Sequence, residues 1–108
     1  MDASEVLLIG ETLPAWVVDR KATGADLDAD AEDITPERTA EVKGLKLAAE
    51  AYLDVYDGDF GFMVDMRAQW IDGAYPLSPG KYAGVINCLR AEVAYIKRRT
   101  TNGGAKGV

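Results

Sequence analysis

The sequence predicts a mainly α-helical fold: a three-helix domain with a helical hairpin and a short extended or β N-terminal segment. Three observations carry this. From residue 36 onward, apolar side chains recur at offsets of three and four, the period of a helix with one buried face. The pairs Thr35-Pro36 and Ser78-Pro79 stand where such stretches begin, joining a capping hydroxyl to a proline suited to the first helical position. Before residue 20, short β-branched clusters separated by Gly and Pro replace that period.

Taken in order, Val6-Leu7-Leu8-Ile9 and Ala15-Trp16-Val17-Val18 flank Gly10-Glu11-Thr12-Leu13-Pro14, which predicts two short strands or an extended arm. A lone hairpin is marginal in water, so this segment must pack on the rest, with Trp16 as its anchor. Residues 20–34 turn to Asp, Ala, Gly and Thr and read as an acidic loop. The first helix runs from Thr35-Pro36-Glu37 to about Tyr56, with Val42, Leu45, Ala49, Tyr52, Leu53 and Tyr56 on one stripe. Leu47, Ala48, Ala51 and Val55 form a second apolar flank, so this helix is central or two-sided.

Asp57-Gly58-Asp59 breaks it, and a second helix covers residues 60–71, with Phe62, Met63, Met66 and Trp70 on one side and Val64, Ala68 and Ile71 on another. Gly73 is its stop. The third helix opens at Pro79 and runs to about Arg99 on the face Tyr82, Val85, Ile86, Leu89, Val93 and Ile96. Residues 1–99 therefore read as one domain. Residues 100–108, with three glycines and no apolar period, read as a flexible tail.

At 108 residues, 48% hydrophobic and 28% charged, the chain has the balance of an ordinary globular domain. It contains no histidine, which excludes histidine-based triads, cysteine–histidine pairs and histidine-ligated metals. Its lone Cys88 allows no internal disulfide, and the acidic N-terminus is unlike a signal peptide. No apolar run approaches the ~20 residues that span a bilayer. The expected setting is cytoplasmic, away from membranes. The net charge of −6 hides a gradient, with −8 over residues 1–37, −3 over 38–80 and +5 over 81–108. Such polarity can orient a molecule against a partner, although basic residues near a helix C-terminus also favour the macrodipole.

The block from Asp59 to Glu92 contains Phe60, Phe62, Met66, Gln69-Trp70, Gly73, Leu77-Ser78-Pro79-Gly80-Lys81 and Val85-Ile86-Asn87. It resembles a helical hairpin that recurs in small proteins of phages and their actinobacterial hosts. The resemblance covers about a third of the chain and rests on an aromatic start and a Leu-Ser cap; where the related segments often carry glutamine after the cap, this chain has Lys81-Tyr82. It implies an origin and a structural hairpin, and it carries no catalytic signature.

Four constellations bear on chemistry. Asp26, Asp28 and Asp30, with Glu37 eleven residues after Asp26, match the carboxylate spacing of a calcium loop. Ala31 stands where such loops turn on glycine and Asp33 where an apolar residue is usual, so a solvated acidic loop is the better reading. Glu50, Asp54 and Asp57 align on one helical face, as in magnesium-dependent nucleotide hydrolases, but no second acidic helix completes the set. Cys88 sits among apolar residues and reads as inert. The basic residues Arg90, Lys97, Arg98, Arg99 and Lys106 supply a phosphate-binding face of few charges, opposed by a pI of about 4.5.

These readings converge on a non-enzymatic protein without cofactor or metal that binds another protein, either a host factor it modulates or a second copy. The expected contacts are Trp16, the acidic residues Asp26, Asp28, Asp30 and Asp33, which imitate a phosphate backbone, and the flank Leu47, Ala51 and Val55. Tyr95 is a further candidate for an exposed anchor. The alternative is a helix-turn-helix nucleic-acid binder using Arg90, Lys97, Arg98 and Arg99. A magnesium-dependent carboxylate hydrolase stands third.

Overall fold

The computed structural model describes residues 3–30, 32–73 and 77–106, with side chains as far as Arg99. The chain forms α1 (Ala3–Glu11), α2 (Trp16–Asp19), a 3₁₀ turn (Gly24–Leu27), α3 (Pro36–Val55), α4 (Gly61–Asp72) and α5 (Pro79–Lys106), with no strand among the described residues. It is mainly helical, and α3, α4 and α5 match the three helices expected from periodicity.

Their boundaries follow the cap chemistry. The Thr35 hydroxyl accepts from the Arg38 amide at 3.1 Å, with Pro36 in the first turn. The Ser78 hydroxyl accepts from the Lys81 amide at 3.3 Å at the start of α5. Gly73 closes α4 in the left-handed conformation, φ 67°, and its amide donates to the Gln69 carbonyl at 3.1 Å. A side chain there would be strained, which is why glycine ends this helix. Residues 74–76 lie outside the described residues.

The N-terminal segment departs from expectation, because it is helical where short strands or an extended arm were predicted. Val6, Ile9 and Leu13 follow helical spacing toward the core, and Val6 and Val17 are fully buried while Leu8 and Val18 point outward. β-branched composition misled here: packing against a long helix outweighs a propensity difference of a few tenths of a kcal/mol per residue. Gly10 allows the approach, since a Cβ there would fall 2.7 Å from Val93 Cγ2 on α5.

The acidic loop is also more structured than its composition implies. Its 3₁₀ turn inserts Leu27 into the core with no exposure and buries Asp26. At the other end, α5 runs on to Lys106, past the end at Arg99 that the apolar period marks. Periodicity reports only the packed part of a helix, so the last residue of the apolar period does not mark where the backbone helix ends.

The whole predicted stripe of α3, Val42, Leu45, Ala49, Tyr52, Leu53 and Tyr56, is buried. It meets Met63 and Met66 of α4 and Tyr82, Val85, Ile86 and Leu89 of α5, while Val93 and Ile96 are partly covered. At 28 residues and about 42 Å, α5 is the spine on which α1, α3, α4 and the 3₁₀ turn all pack.

Candidate functional site

The buried Asp26 carboxylate organises the N-terminal third. Arg20 donates to both of its oxygens at 2.8 Å, Arg38 reaches Oδ1 at 3.3 Å, and the Thr23 amide and hydroxyl donate at 2.7 and 3.1 Å. The Arg20 hydrogen bonds hold Asp26 far below the usual carboxylate range, against the opposing effect of burial. Arg38 also pairs with Glu41 at 2.5 Å, and Glu41 accepts from the Trp16 indole at 3.1 Å. The Arg20 guanidinium stacks over the Trp16 ring, 4.2 Å from its centroid. A closed ladder thus joins α2, the 3₁₀ turn and α3.

This corrects the sequence-based placement of Asp26. Asp26 is an internal ion-pair partner and does not stand on a docking surface or at the head of a calcium loop, and Trp16 spends its indole N–H within the ladder. Asp28 accepts from the Asp30 amide at 2.9 Å in a local turn, and Asp30 and Asp33 are exposed. Ala31 lies outside the described residues. Among the described residues, no three acidic or cysteine side chains come together in a way that could hold a metal ion.

The carboxylates of α3 are likewise engaged. Glu50 accepts from the Tyr82 hydroxyl of α5 at 2.8 Å, and Asp54 accepts from the Trp70 indole of α4 at 2.8 Å. Burial and the Glu50 hydrogen bond push the Tyr82 phenol up to about 12, and Lys46 lies 5.5 Å from its ring centroid. Two of the three residues aligned for magnesium therefore fasten α3 to its neighbours, and Asp57 is exposed beyond the end of the helix. Burial pushes the half-covered Cys88 thiol up, away from the reactive thiolate.

Of the α3 flank, Leu47 is 58% exposed, whereas Ala51 and Val55 are half-buried, with Val55 packed on the core. A broader apolar surface lies on α4, whose inward Met63 and Met66 leave Val64 and Ile71 exposed on the opposite side at 45% and 65%. With Phe60, 58% exposed, and Ala68, they form a stripe at helical spacing. Val64, Ala68 and Ile71 line a groove of about 710 Å³ beside the α3–α4 loop, with Arg67, Asp57 and Asp72 also at its walls. The two-sided apolar pattern of residues 62–71 was the sequence signal for this surface.

On α5, Arg90 is half-buried and donates from Nη2 to the Val18 carbonyl at 3.0 Å, whereas Lys97, Arg98 and Arg99 are exposed. Tyr95 is 51% exposed on the same helix. No helix of the described residues is long and apolar enough to cross a membrane. Compared with protein families, curated proteins and solved structures, the chain matches none of them.

Proposed function

We propose that this chain is a non-enzymatic protein-binding module that receives a helix of its partner in the groove over α4. The observation that carries this reading is the exposed stripe Phe60, Val64, Ala68 and Ile71 on a helix whose other side is already in the core. A contiguous apolar surface rimmed by charge is the form taken by helix-binding grooves, and Arg67 and Asp72 at its walls would select a partner helix with complementary charges. Exposed Asp30 and Asp33 and the exposed Leu47 add secondary contacts. The resemblance of residues 59–92 to hairpins of phage and actinobacterial proteins bears on origin, and with a phage origin the expected role is the modulation of a host protein.

The test compares the native chain with a Val64→Glu, Ile71→Glu double variant, both sites being exposed and tolerant of charge. A nuclease-resistant, stoichiometric partner or homodimer held by the native chain and lost by the variant supports the reading. Equal retention by both overturns it. Retention that disappears with nuclease favours the second reading, nucleic-acid binding, which rests on the exposed Lys97, Arg98 and Arg99 of α5.

A further inference from the structure

A second cavity, remote from the α4 stripe, lies where the α1–α2 connection crosses α5. Its volume is about 260 Å³, and Gly10, Leu13, Val17, Val18, Val93 and Ala94 give it an apolar floor. Two cations of α5, Arg90 and Lys97, stand on its wall at a spacing of seven, which places them two turns apart on one face. Neither has a carboxylate within ion-pair distance among the described residues. Among the described residues, Arg90 makes a single hydrogen bond, to the Val18 carbonyl, and its Nε is buried without a partner. Buried polar atoms are nearly always satisfied, and a guanidinium left with unused donors is suited to a planar carboxylate.

We infer that this cavity is a binding site for a small amphipathic monocarboxylate, with the aliphatic body on Leu13, Val17 and Val93 and the carboxylate between Arg90 and Lys97. The choice of an anion follows from two cations on the wall with no ion pair among the described residues, and the choice of an aliphatic body from a floor without polar side chains. A phosphodiester chain would find little room in a cavity of this size. The Gly10 backbone is part of the design: the close crossing at Val93 brings α1 near enough to close one side of the cavity.

The experiment titrates the full chain with octanoate and follows backbone amide chemical shifts, with octanol and octylammonium as probes of the same length. Expected is saturable binding with a Kd on the order of 1 mM, with the largest shifts at Gly10, Val18, Ala91 and Ala94. Octanol should bind about tenfold more weakly and octylammonium not at all. Because Arg90→Gln also removes the tether to Val18, Lys97→Gln and Ala94→Phe serve as independent variants. The first should weaken octanoate about fivefold by loss of charge, and the second should abolish binding by filling the cavity, with helix content unchanged. Equal binding of the three probes, shifts centred elsewhere, or unaltered affinity in both variants would each overturn the assignment.

Discussion

The side-chain amide of Asn87 pairs with the backbone of Ala22 as a neighbouring strand would. Its Oδ1 accepts from the Ala22 amide at 2.7 Å and its Nδ2 donates to the Ala22 carbonyl at 2.9 Å, across 65 positions of sequence. Both peptide groups of a connection are thereby satisfied by one residue of the central helix, and the buried Ala22 is fixed against α5. Asn87→Ala should cost about 2 kcal/mol in urea unfolding, because it leaves a donor and an acceptor of the Ala22 backbone unsatisfied. Asn87→Asp should cost more, since a carboxylate cannot donate and would face the Ala22 carbonyl.

Asp26→Asn should destabilise the fold by about 2 kcal/mol at neutral pH, the half exposure of Arg20 keeping the loss below that of a fully buried pair. The same residue sets an acid limit. Its folded carboxyl titrates well below its unfolded value near 4, so its contribution is fully present above about pH 4 and is lost as pH falls toward the folded value. Thermal midpoints measured from pH 7 to pH 2 should therefore fall less steeply in acid for Asp26→Asn than for the native chain.

At high pH the sign reverses for Tyr82. Its phenol is held neutral to about 12 in the fold but ionises near 10 when unfolded, so its contribution is present below about pH 10 and lost between these values. Tyr52 is shifted in the same direction by burial. Ultraviolet titration should show late-ionising tyrosines, and Tyr82→Phe should remove one of them.

Two helical glycines should respond in opposite ways. Gly44 faces open space in the middle of α3, so Gly44→Ala should stabilise by about 0.5–1 kcal/mol through helix propensity. A Cβ at Gly84 would meet the Phe62 ring of α4 below 3 Å, so Gly84→Ala must displace that ring. Its propensity gain should be outweighed by a net loss of about 1 kcal/mol in the same unfolding assay.

Much of the fold was legible in the sequence. The apolar period, Thr35-Pro36, Ser78-Pro79 and Gly73 determined α3, α4 and α5 and the buried stripe from Val42 to Tyr56, because helix periodicity and cap chemistry act between residues within one or two turns. The same information also marked the outward side of α4. What lay beyond it was decided by contacts between distant segments. Whether Val6 to Val18 became strand or helix depended on the groove that α5 offers, and whether Asp26 was a surface charge or an internal ion-pair partner depended on Arg20 and Arg38 converging on it. Asn87 with Ala22, Tyr82 with Glu50 and Trp70 with Asp54 have no local signature, since each is fixed by where segments distant in sequence meet a helix. The tertiary structure alone turned a flank of basic residues into a half-buried Arg90 and an exposed Lys97 around one cavity, because only packing decides which charges lose water and which keep it.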